Sequence, residues 1–191
     1  MQHMEFTAQV AAKQRVLEEN LKRIGNVETE TLLPALYGPA WNYRHRARLS
    51  ARHVAKKGTV LVGFHEKRSS FICDMTECHI LPARISKQLP ALRELVMQLS
   101  IRERMPQIEL AAGDHVDVLV FRNMDAITPA DEALFRDYAD KWNVQIWLQP
   151  KGPDTAHPLY PLDAPRLAYR LPDFSVEHPF SPTEFTQVNH P

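Results

Sequence analysis

Glycine is scarce in this chain and cysteine scarcer: six and two in 191 residues. Six scattered glycines do not supply a Gly-rich phosphate loop or a dinucleotide fingerprint. The sequence also lacks a Gly-x-Ser-x-Gly elbow, a His-Glu-x-x-His pair and any Cys-x-x-Cys. A complete nucleotide-dependent active site is therefore not expected within these residues. Cys73 and Cys78 do not make a disulfide framework in a chain of this length. No apolar run approaches the roughly 20 residues that span a bilayer, and the first residues, MQHMEFTAQ, do not have the charged-then-apolar form of a signal peptide. The expected setting is cytoplasmic, without a membrane partner. With 44% hydrophobic and 24% charged residues the composition is that of an ordinary globular chain.

Net charge is absent too, with 23 Lys and Arg against 23 Asp and Glu, but this zero is a cancellation. From Thr31 to Ser70 eight cations (Arg44, Arg46, Arg48, Arg52, Lys56, Lys57, Lys67 and Arg68) face the single acid Glu66. From Glu109 onward thirteen acids face six cations. Such asymmetry points to a polyanion-facing strip on one part of the fold.

Phe6, Val10, Leu17, Leu21 and Ile24 recur at helical spacing, with Lys22 and Arg23 in the last turn and Gly25 as the expected cap. This predicts an amphipathic helix over 7–24. Asn42 to Val54 alternates with period two, placing Arg44, Arg46, Arg48, Ser50 and Arg52 on one face and Tyr43, His45, Ala47, Leu49, Ala51 and His53 on the other. A hairpin through Ala55-Lys56-Lys57-Gly58 leads to a strand over 59–65, and a third short strand is expected near Phe71 to Cys73. Pro82 opens a second helix, which Pro90 should divide into a short and a longer piece before Pro106. A second hairpin, 108–112 with 116–121, turns at Gly113-Asp114. Thr128-Pro129-Ala130-Asp131 starts a third helix reaching about Trp142, followed by a strand over 144–148. Many of the 15 prolines follow Gln149, so the tail should be extended strands and turns. The order predicts an α+β fold, a mainly antiparallel sheet with about three helices packed on it.

The arginine stripe is the strongest chemical signal. Same-face side chains on a strand are roughly 6.6–6.8 Å apart, so the arginines form a row of planar donors suited to phosphates or bases. The plainer reading is a solvated edge paired with the acids of the C-terminal half. Trp41, Tyr43 and Phe64 could stack on unpaired bases or simply fill the core. Cys73-x4-Cys78-His79 lacks a fourth ligand for a structural zinc site, and a lone buried thiol is the simpler reading.

Three groups of residues then coincide in order and spacing: Tyr43-Arg44-His45-Arg46-Ala47-Arg48-Leu49; Val62-Gly63-Phe64-His65 with Cys78-His79-Ile80-Leu81; and Phe185-Thr186-Gln187-Val188-Asn189. Together they resemble the bacterial 23S rRNA (uracil-5-)-methyltransferases of the RumA (RlmD) type, over essentially the whole chain. The resemblance implies that residues 1–178 are a central RNA-binding domain with an N-terminal helix. It implies that 179–191 begin the linker into an S-adenosylmethionine-dependent methyltransferase domain. Gln2-His3 looks like the pair that follows the family's cysteine-rich run, so the chain reads as an excised central domain.

Carried over by motif, Cys78 matches one of four ligands to a [4Fe-4S] cluster whose other ligands would lie upstream, whereas Cys73 matches none. Gln187 matches a residue that binds S-adenosylmethionine. Phe185 matches an aromatic near the target base, and Arg44, Arg46, Arg48 and Arg52 fall in the RNA-contacting segment. In the family a cysteine thiolate adds to uracil C6, C5 attacks the sulfonium methyl, and a carboxylate removes the C5 proton from a uridine taken out of its stack. That nucleophile and base belong to the domain not represented here, so no catalytic residue is expected in this chain. Alone it should be colourless, without bound cofactor and inactive, with 23S ribosomal RNA as the implied partner. A stand-alone RNA-binding module without catalytic activity is the alternative.

Overall fold

The computed structural model describes residues 3–187 and 189. Gln2 and Val188, each part of a motif quoted above, lie outside the described residues. The chain divides into two compact units, one reaching Ala40 and the other beginning at Trp41.

In the first unit, helix α1 spans Phe6–Arg23. Glu5 caps it, its carboxylate accepting from the Ala8 amide at 3.0 Å. The C-terminal end departs from expectation, because Asn26, and not Gly25, takes the left-handed conformation, at φ 49°. Gly25 serves a close approach instead, since a Cβ there would meet the Leu21 carbonyl oxygen at 2.9 Å. No residue of α1 is buried, and Leu17 and Ile24 of the expected apolar face are exposed.

The second unit is built on a six-stranded sheet in the order β2-β1-β3-β4-β5-β6. Its strands are β1 (Arg46–Val54), β2 (Thr59–Gly63), β3 (Gln107–Ala112), β4 (Asp117–Arg122), β5 (Val144–Leu148) and β6 (His157–Tyr160). Neighbours are antiparallel except β4 and β5, which run parallel because α4 (Pro129–Trp142) carries the chain back between them. The class is therefore α+β, with a mixed sheet. A separate hairpin of β7 (Ala168–Leu171) and β8 (Val176–Pro179) follows. The strand expected near Phe71 reduces to a single bridge between His65 and Ile72. The 71–75 segment instead runs beside the end of β2, where the Cys73 amide donates to the Phe64 carbonyl and the Cys73 oxygen takes the space that a Cβ on Gly63 would need.

Period-two alternation gives the sheet two unlike faces. One carries rows in register, Leu49–Ile108–Phe121–Leu148 and Ala47–Leu110–Leu119–Ile146, and is sealed by α2 (Ala83–Ser86), α3 (Leu89–Gln98) and α4. Pro90 divides the second helical region as predicted, lying in the first turn of α3. The Thr128 hydroxyl accepts from the Asp131 amide, and Asp131 returns the bond to the Thr128 amide, closing a capping box on α4. The opposite face holds a smaller cluster of Ala111, Val116, Val118 and Val120 beneath Leu167 and Phe180. That cluster covers only part of the face.

Candidate nucleic-acid interface

On the second face, three rows run across the sheet. Arg46 is in register with Ala111, Val118 and Gln145; Arg48 with Glu109, Val120 and Trp147; and Ser50 with Gly63, Gln107 and Arg122. The apolar members of the first two rows carry the Leu167 and Phe180 cluster, which leaves open the ground along β1 and at the end of β4. This open ground is basic and polar: Arg48, Arg52 and Arg122 are exposed, with Ser50 and Gln107 between them.

The four predicted arginines do not share one fate. Arg44 precedes β1 and leaves the row: its amide donates to the Ile80 carbonyl at 2.8 Å, and its guanidinium lies over Phe64, 5.7 Å from the ring centroid. Phe64 packs against the helix-covered core, so Arg44 is turned toward that side. Arg46 is half-buried and donates to the Pro182 carbonyl at 3.1 Å and the Thr186 hydroxyl at 3.5 Å. Burial lowers its pKa, with Glu109 opposing and Arg48 adding to the shift. Arg48 is ion-paired with Glu109 at 2.9 Å, and Gln107 donates to the same carboxylate oxygen at 2.7 Å. The guanidinium of Arg48 nevertheless remains largely exposed. Arg52 is exposed, and its side chain has no hydrogen bond or ion pair among the described residues. One acid of the C-terminal half thus does pair with the stripe, and the rest of the row stays cationic.

Two features of this surface escaped the sequence reading. Arg122 lies two strands from β1 on the same face, about 10 Å away at ordinary strand spacing. Its strand reads as a buried apolar run, Val118 to Phe121, and a lone arginine after such a run gives no periodic signal. His65 is the second; its Nε2 is 2.9 Å from the Ser50 hydroxyl, extending the polar ground past β2.

Phe185 and Gln187 stand on the segment that follows Phe180, whose amide donates to the Leu167 carbonyl at 2.9 Å. Thr186 between them is buried at 8% exposure, while Phe185 is 85% exposed and Gln187 exposed. Both are thus turned outward while Thr186 is turned in. A single exposed amide is not by itself a nucleotide pocket. Trp41 packs edge-to-face on His79 at 5.9 Å.

Cys78 is half-buried against the helix-covered core, its amide accepted by the Ser86 hydroxyl at 2.8 Å, and Cys73 is exposed. Among the described residues no three His, Cys, Asp or Glu side chains converge in a way that could hold a metal. Cys78 offers one thiolate; a four-thiolate cage does not fit the side chains of this chain alone. No described helix is long and apolar enough to cross a membrane.

No protein-family model matches the chain. Curated relatives do, over nearly all of it. It is 65% identical to the 23S rRNA (uracil(1939)-C(5))-methyltransferase RlmD of Chromobacterium violaceum, across 99% of this chain and 38% of that protein. The enzymes of the same name from Nitrosospira multiformis and Burkholderia pseudomallei are 62% and 60% identical, across 99% and 100% of this chain and 43% and 41% of theirs. The chain thus spans about two fifths of the length of these relatives. Among solved structures, the tRNA (uracil-54, C5)-methyltransferase of Pyrococcus abyssi in complex with S-adenosyl-L-homocysteine matches with a TM-score of 0.64 at 19% identity, over 98% of this chain and 45% of that one. At that identity the likeness is one of fold. The resemblance read from three short motifs therefore holds over the whole chain.

Proposed function

We propose that this chain is the RNA-binding part of an S-adenosylmethionine-dependent methyltransferase that forms 5-methyluridine in 23S ribosomal RNA. The observation that carries the reading is the open basic face of the sheet, in a chain 60–65% identical to enzymes named for that reaction. Arg48, Arg52 and Arg122 hold phosphates of a single-stranded or looped segment, and Phe185 offers an exposed ring to an unstacked base. Residues 1–178 serve RNA recognition and 179–191 lead toward the methyl-transfer site, where Gln187 contributes to binding the cofactor. S-adenosylmethionine, when bound, supplies the methyl group; the residues described here hold and orient RNA. Cys78 takes one of the four places on a [4Fe-4S] cluster, with thiolates from outside these residues taking the others.

The test is salt-dependent binding of the chain to a single-stranded loop fragment of 23S ribosomal RNA. The Arg48→Ala, Arg52→Ala double variant is expected to bind on the order of tenfold more weakly, and its slope of log affinity on log salt should fall by about 1.4, at roughly 0.7 per phosphate contact on a single strand. Affinity and slope equal to those of the unaltered protein would remove the stripe from RNA binding. Arg122→Gln alone should lower the slope by about 0.7; an unchanged slope would confine the interface to β1.

A further inference from the structure

The geometry points to Arg46 as a positioning residue, a latch that fixes the segment bearing Phe185 against the sheet, and not as a phosphate contact. This rests on the RNA-binding reading above and assigns one arginine of the row a different task.

The guanidinium of Arg46 joins parts of the chain that are 136 and 140 residues apart, reaching the Pro182 carbonyl at 3.1 Å and the Thr186 hydroxyl at 3.5 Å. One acceptor lies within the turn that precedes Phe185 and the other directly follows Phe185. In that turn the Glu184 amide donates to the Ser181 carbonyl at 3.0 Å, and the Ser181 amide donates to the Glu184 carboxylate at 2.7 Å. Upstream the segment is held by buried Phe180. Downstream of Phe180, Arg46 is the β1 side chain that binds it. With Thr186 seated at 8% exposure, Phe185 projects at 85%.

Only a planar fork reaches two acceptors set apart in this way. A lysine ammonium keeps the charge but is a point donor on a flexible stem. The donors that hold Pro182 and Thr186 are also directed away from a ligand, so the net contribution of Arg46 to RNA passes through Phe185.

A double-mutant cycle separates the two roles. Phe185→Ala is expected to weaken RNA affinity about tenfold, the scale of one lost base stack. Arg46→Ala should cause a similar loss with an unchanged salt slope, and the combined variant should bind no worse than either alone. Arg46→Lys, which would rescue a phosphate contact, should leave most of the loss in place. Additive losses with a slope lowered by about 0.7, or full rescue by lysine, would overturn the proposal and make Arg46 an RNA contact.

A second measurement does not need RNA. Amide hydrogen exchange over 183–187 should quicken in Arg46→Ala while β1 and β3 stay protected. Unchanged exchange would overturn the latch whether or not the chain binds RNA. If the Arg48→Ala, Arg52→Ala variant binds as well as the unaltered protein while exchange over 183–187 quickens in Arg46→Ala, the RNA-binding reading fails and the latch stands.

Discussion

Phe135→Ala should destabilise the second unit by about 4 kcal/mol, the usual range for removing a fully buried phenylalanine being 3–5 kcal/mol. Phe135 is completely buried and meets Phe121 edge-to-face, with ring centroids 4.9 Å apart. Phe121 is a member of the core row Leu49–Ile108–Phe121–Leu148, so the ring of Phe135 is the point at which α4 seats on the centre of the sheet. Its loss removes area from water and leaves a cavity that a helix pinned at both ends cannot close. Phe135→Leu, closer in volume, should cost less than about 1.5 kcal/mol. Urea unfolding checks both, as a lowered midpoint at constant slope. A loss below about 1.5 kcal/mol for the alanine variant would mean that α4 settles onto the sheet and fills the gap.

Asp131→Ala should follow at about 2–3 kcal/mol, from hydrogen bonds to a charged group and the donors left unpaired without it. The buried carboxylate accepts from the Ser100 amide at 2.7 Å, the Ser100 hydroxyl at 2.6 Å, and the Thr128 amide and hydroxyl at 2.8 Å each. It both caps α4 and ties that cap to the turn after α3. Burial acts to raise its pKa, but the Ser100 and Thr128 hydrogen bonds outweigh burial and hold it below the ordinary 3.8. Because the folded-state pKa is depressed, this contribution is fully present above about pH 4 and is lost as pH falls through the folded value. Asp131→Asn should therefore narrow its stability gap from the unaltered protein as pH drops from 5 toward 2. A gap constant with pH would show that the carboxylate charge plays no part.

Local chemistry made much of this fold legible. Thr128, Pro129 and Asp131 announced the start of α4, Pro90 the division of the second helix, and alternating Arg and aliphatic residues the two faces of β1. These signals act within a few residues of their effect. What was not legible depends on distant partners. Nothing near Arg46 indicates that Pro182 and Thr186 will claim its guanidinium, and nothing near Arg44 indicates that it will lie over Phe64. Arg122 joined the surface only because the register of β3 placed Gln107 between it and Ser50. Phe71 to Cys73 had strand-like residues, but Gly63 let the Cys73 backbone approach so closely that the segment shields an edge more than it pairs. Gly25 and Asn26 traded places as the left-handed residue because either can end a helix, and local space at Leu21 chose between them.

The two margins of the sheet bear on behaviour in concentrated solution. An unpaired outer strand is a template for another chain, and the usual protections are proline, charge or a covering segment. On β6, Pro158 opposite Trp147 lacks an amide to donate. On β2, Arg93 donates to the Val60 carbonyl at 3.1 Å, and just past its end the Cys73 amide donates to the Phe64 carbonyl. One main-chain donor is thus missing at one border, and two carbonyls at or just past the other are already engaged. A protein with no net charge has little long-range repulsion to keep its copies apart. Here resistance to ribbon-like stacking is built into the borders of the sheet.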